Sequence, residues 1–189
     1  MNHRDAALIA IAITAIVLLA GCISSPPKTT YKTVFTEITE SPATQQGFVP
    51  AGKTLDLNFQ ATSKNITKVS VQLAFVDDSG DGCPDIMGLA VDSPFPDALY
   101  LPVQAGESNK TMTINVTIQH LPAVKKSTSK AELQEYLDGV ANTQGAGKWT
   151  ISIADVNASP CSNPKTSDTG NTWVLMISSF VFAGNITEA

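Results

Sequence analysis

Arginine is almost missing from this chain of 189 residues, occurring once, as Arg4. Histidine is confined to His3 and His120, cysteine to Cys22, Cys83 and Cys161, and only 6% of residues are aromatic. Each shortage excludes something. Paired contacts to phosphate and guanine lean on arginine, and a net charge of −5 repels a polyanion, so no nucleic acid is expected as partner. Cys83 and Cys161, with only His120 to add to them, fall short of a zinc set. GxSxG, HExxH, Walker and dinucleotide fingerprints are all missing, so no catalytic set is expected and the chain reads as no enzyme. His120, where a strand runs out before Leu121 and Pro122, reads as a surface residue.

What is present begins with a fifteen-residue run without charge, AALIAIAITAIVLLA, from Ala6 to Ala20. A bilayer core needs roughly 20 apolar residues, so the run is short for a permanent anchor and fits a signal peptide over residues 1–21. The tetrad Leu19-Ala20-Gly21-Cys22 that follows resembles the bacterial and archaeal lipobox. That resemblance implies cleavage before Cys22, lipid on its thiol, and a place on the outer face of a cell membrane. An uncleaved anchor and a buried core helix are the alternatives. Arg4 is offset by Asp5, which departs from the usual basic start.

Removing residues 1–21 leaves 168, enough for one domain with a real core. With Cys22 taken by lipid, Cys83 and Cys161 remain as one expected disulfide. It would close a loop of 78 residues, worth about 4 kcal/mol on the chain-entropy account. Two separately buried thiols, or metal ligation, are the other readings. Five Asn-x-Ser/Thr acceptors, at Asn65, Asn109, Asn115, Asn157 and Asn185, fit an exported, glycosylated surface, although Ser/Thr-rich strands also generate such triplets for free.

Residues 22–34 combine Ser, Thr, Pro and Lys with no apolar period and read as a flexible tether, with the domain spanning 35–189. Within the domain, period-two alternation dominates. Leu55, Leu57 and Phe59 alternate with polar residues, as do Val69, Val71, Leu73 and Phe75, then Met112, Ile114 and Val116, then Trp149, Ile151 and Ile153. One apolar face per strand is what two packed antiparallel sheets require, so the expected fold is a mainly β antiparallel sandwich. TWVLMISSFVF, from Thr172 to Phe182, reads as a long, more fully buried closing strand. One short inserted α-helix is expected over Ser129 to Asn142, with a capping box of Ser129 and Glu132 and a stripe of Leu133, Tyr136, Leu137 and Val140.

The acidic stretch FVDDSGDGCPDIMG places Asp77, Ser79, Asp81 and Asp85 at spacings that resemble the first nine positions of an EF-hand or thrombospondin type 3 calcium loop. Clustered carboxylates suit structural Ca²⁺, a hard ion that takes six to eight oxygens. Gly88 stands where an EF-hand has its bidentate glutamate, and a plain polar turn is the competing reading. Phe95 and Tyr100, in the Pro-rich SPFPDALYLP, are the aromatics expected to face a ligand. Trp149 and Trp173 fall in phase with core residues.

Over Lys68 to Phe182 the order FVDD, PDIMGLAVDSP, GKWTISIAD and a Trp-led final strand resembles secreted jelly-roll modules such as P-domains of proprotein convertases, CUB domains and carbohydrate-binding sandwiches. The resemblance implies a module that binds or stabilises, and it brings no catalytic residues. The expected function is a lipid-anchored extracytoplasmic binding module for a cell-surface glycan or an envelope protein. The alternative is a structural protein of envelope assembly.

Overall fold

The computed structural model describes residues 27–76, 85–95, 103–107, 110–156 and 169–189. Among the described residues ten strands and one helix follow in chain order: β1 (Tyr31–Thr39), β2 (Ala43–Pro50), β3 (Thr54–Ala61), β4 (Ile66–Val76), β5 (Ile86–Asp92), β6 (Val103–Glu107), β7 (Thr111–Thr117), β8 (Lys126–Ser127), α1 (Lys130–Val140), β9 (Gly147–Asp155) and β10 (Gly170–Glu188).

β-branched and aromatic residues on alternate positions make these segments strands, and burying one face of each drives them into two layers. The front sheet runs β7-β4-β10-β1-β8 with β2 also on β10, and the back sheet runs β3-β9-β5-β6. Apart from β1 and β8 the pairs are nested: β2 with β10, β3 with β9, β4 with β7, β5 with β6, all antiparallel. A ribbon of antiparallel pairs wrapped into two facing sheets is a jelly roll. Val71, Leu73 and Leu175 from the front meet Leu89, Trp149, Ile151 and Ile153 from the back, all at most 1% exposed.

β10 is the long closing strand expected, and it turns its apolar run mainly one way: Trp173, Leu175 and Ile177 point into the sandwich while Val174 is 44% exposed. The strand is also longer than its apolar run, because its second half takes β1 as partner, from Thr39 opposite Phe180 to Tyr31 opposite Glu188. That pairing draws Tyr31 to Val34 into the sheet, four residues that the composition assigned to the tether. Their backbone groups are satisfied by β10 on one side and by β8 and the Lys125 carbonyl on the other, whatever their side chains. β1 and β2 lie along the same edge of β10, and Glu40, Ser41 and Pro42 between them stand opposite only Ser178 and Ser179. Pro42, with no N–H to give, sits at this break.

Beyond the sandwich, α1 covers the outer face of the β1–β10 pair. Leu133 is fully buried there, Phe35 meets Tyr136 and Phe182 edge-on at 6.4 and 5.7 Å, and Gly184 leaves room for Leu137, since a Cβ there would lie 2.6 Å from Leu137 Cδ2. The Ser129 hydroxyl caps the helix by accepting from Glu132 N–H at 3.3 Å. The reciprocal half of the box takes another form: the Glu132 carboxylate accepts from the Ser127 hydroxyl at 2.6 Å and pairs with Lys125 Nζ at 3.0 Å. The Ser127 bond first, then Lys125, holds the Glu132 carboxyl below its ordinary range.

A junction of amides fixes this helix-bearing insert to the sandwich. Asn65 adopts a φ of 59°, a conformation Asn tolerates better than most residues. Its N–H donates to the Asn142 carbonyl and its Oδ1 accepts from Asn142 N–H, both at 2.9 Å. Gln119 Nε2 donates to the Ile66 carbonyl at 2.9 Å, and Asn142 Nδ2 donates to Gln119 Oε1 at 2.8 Å.

Candidate functional site

On the outer face of the front sheet, polar residues predominate except at one end. Phe48 of β2, Thr172 of β10 and Val76 of β4 stand in one row across the strands, and Gln46, Val174, Ala74 and Thr111 stand in the next. Paired residues share a face, so the register places these side chains together. Phe48 is 45%, Val76 58% and Val174 44% exposed. Beside them a depression of about 250 Å³ is lined by Ala74, Val76, Lys110, Thr111, Thr172 and Val174. Exposed single apolar residues are ordinary, but three on adjoining strands around a hollow form a patch. A sequence signal for it existed: in VLMI both phases of β10 are apolar, and a strand at the surface of a two-layer fold can bury only one of them.

The expected site residues do not converge on this patch. Phe95 is half-buried, its N–H donating to Ser93 Oγ at 3.0 Å. Asp85 is described and lies inward, 2% exposed, just before β5. Cys22, Asp77, Ser79, Asp81, Cys83, Tyr100, Asn109, Asn157 and Cys161 lie outside the described residues. Trp149 and Trp173 are core, and Trp149 Nε1 donates to the Gly145 carbonyl at 2.9 Å. His120 is exposed.

The three described glycan acceptors differ. Asn115 on β7 and Asn185 on β10 are exposed. Asn65 commits its amide to the Asn142 junction, and the hydroxyl of its triplet partner Thr67 is buried against Glu37 Oε1 at 2.5 Å and the Phe180 carbonyl at 3.1 Å. Among the described residues no three His, Cys, Asp or Glu side chains group as a metal set, and no helix is long and apolar enough to cross a membrane.

No family model matches the sequence, and no curated protein matches it. Solved structures are similar to it at 10% identity: the Yersinia pseudotuberculosis-derived mitogen (TM-score 0.36, covering 72% of this chain and 84% of that one), and the virus-like particle of the Macrobrachium rosenbergii nodavirus (TM-score 0.40, 83% and 97%). A marine algae virus of the order Picornavirales is similar as well, at 10% identity (TM-score 0.40, 79% and 71%). Likeness this distant says nothing about what the present chain binds.

Proposed function

We propose that this chain is a non-catalytic display module, exported, held by lipid on Cys22 at the outer face of a cell membrane, and binding an envelope protein through the outer face of its front sheet. The observation that carries the binding role is the patch of Phe48, Val76 and Val174. A sugar site uses aromatic faces ringed by hydrogen-bonding groups, and both tryptophans are core here. Aliphatic side chains and threonines around a shallow hollow suit the apolar centre of a protein interface better. The signal-peptide run and the Leu19-Ala20-Gly21-Cys22 tetrad support the address.

The test uses the native lipoprotein cross-linked in its membrane, beside Val174→Asp and Phe48→Asp variants. One defined envelope partner, lost from both variants while their melting points hold within about 2 °C, supports the reading. A partner retained by both variants, or selective binding in a glycan screen that both variants keep, overturns it. Mass spectrometry of the mature N-terminus checks the anchor separately: lipid on Cys22 is expected, and an intact Met1 end refutes it.

A further inference from the structure

Of the 12 basic residues in the chain, Lys28, Lys32, Lys125, Lys126 and Lys130 fall in two short segments, KTTYK and KKSTSK, that contain no acid. β8 brings the two segments together. Lys32 stands directly opposite Lys126 in the β1–β8 register, Thr33 N–H donates to the Lys125 carbonyl at 2.9 Å, and Lys130 Nζ lies 4.6 Å from the centre of the Tyr31 ring. Beside them Lys28, Thr29, Tyr31 and Thr128 line a hollow of about 410 Å³. Like charges that face each other across paired strands, with Cβ atoms roughly 5 Å apart, destabilise the pair. An anion beside Lys32 and Lys126 removes that cost. Glu132 is taken by Lys125, and Glu188 stands opposite Tyr31. Among the described residues, Lys28, Lys32, Lys126 and Lys130 form no ion pair with a carboxylate.

We infer that this lysine end docks on the anionic phosphate headgroups of the membrane that carries the lipid anchor, and so sets the orientation of the domain. The inference rests on the reading of Cys22 as the lipid-bearing residue. From Cys22 to Lys28 is six residues, a reach of at most roughly 22 Å when fully extended, so the anchor keeps this end close to the headgroups. Each lysine near an anionic surface adds about fivefold to the affinity for it. The rest of the chain, acidic enough to bring the net charge to −5, is repelled by the same surface, which favours one orientation over others. The apolar patch lies toward the other end of β10. Val174 and Glu188 are fourteen residues apart on that strand, roughly 45 Å when extended, so docking holds Phe48, Val76 and Val174 at a distance from the bilayer, where an envelope partner has access.

Native lipoprotein is added to preformed vesicles of phosphatidylcholine alone, or of phosphatidylcholine with about one-third phosphatidylglycerol, and its amines are acetylated by a membrane-impermeant reagent, with mass spectrometry reading each lysine. On the anionic vesicles Lys32, Lys126 and Lys130 should react roughly fivefold more slowly than on the neutral ones, because phosphate contact shields each amine and keeps it protonated. Lys53, exposed in the turn after β2, should keep its rate. The protection should vanish at about 1 M salt, where screening shortens to roughly 3 Å. In a chain carrying both Lys126→Glu and Lys130→Glu, at exposed positions, Lys32 should react alike on both vesicles. Flotation with the neutral vesicles reads the anchor by itself. A chain that floats only with anionic vesicles, and only at low salt, refutes lipid on Cys22 and still supports the lysine surface. Equal reactivity of Lys32, Lys126 and Lys130 on both vesicles overturns the inference. So does protection that Lys53 shares, or protection of Lys32 that the double variant keeps.

Discussion

β10 serves two regions held together by different forces. Its first half, Gly170 to Ile177, lies between β2 and β4 and turns Trp173, Leu175 and Ile177 into a core of interlocked aliphatic and indole side chains. Its second half pairs with β1 and is covered by α1 on the opposite face, through Phe35, Leu133, Tyr136, Leu137 and Phe182. The sandwich gains from buried area, which is non-directional. The helix-capped extension buries a smaller cluster and relies in addition on oriented bonds: the Asn65–Asn142 clamp, Thr67 to the Phe180 carbonyl, and Glu132 with Ser127 and Lys125. The first should suffer chiefly from cavities, and the second from the loss of single oriented bonds as well as from the loss of its buried anchor.

The largest effect is expected from Trp149→Ala, which empties the centre of the sandwich and should cost about 3–5 kcal/mol in urea unfolding followed by circular dichroism. Leu133→Ala removes the buried anchor of α1 and should cost about 2–4 kcal/mol if both regions unfold together. A helix signal melting ahead of the β signal would show instead that the extension is a separate cooperative unit. Asn65→Ala breaks the clamp and places a Cβ without a compensating amide at positive φ. It should cost about 1–3 kcal/mol and raise hydrogen exchange over residues 118–146 more than in β9. The smallest effect follows from pH. Because folding lowers the Glu132 pKa below its ordinary 4.5, the contribution is present above that value and is lost as pH falls through the lower folded value. Glu132→Gln should flatten the acid-side loss of helicity, and an unchanged acid profile would remove Glu132 from the account.

The strands that pair across the core were legible because one phase of each is apolar, as in Val69 to Phe75 and Trp149 to Ile153. The helix was legible through Ser129 and its 3.6-residue stripe. β1 and β2 were not. YKTVFTEIT and ATQQGFVP have weak alternation because β1 buries little on either face and β2 contributes only Gly47 and Val49 beside Trp173 and Asn171. At Gly47 any Cβ would lie 2.7 Å from the Trp173 ring, a packing reason for glycine that a sequence window cannot carry. The patch was missed because Val76 and Val174 look like core until the layer count is known. The burial of Asp155 and Asn171 was missed because a polar residue at a strand end reads as the start of a turn, and only the facing sheet shows that both point inward.

The nested order has a consequence for the timing of folding. β2 needs β10, and β1 needs the last nine paired residues of the same strand, Phe180 to Glu188. A chain emerging from its N-terminus holds its first two strands idle until Gly170 and everything after it have come out, and closing so distant a pair is entropically slow. The inner pairs β5–β6 and β4–β7 need nothing beyond Thr117, so the outermost strands are the last part of the sandwich to be fixed.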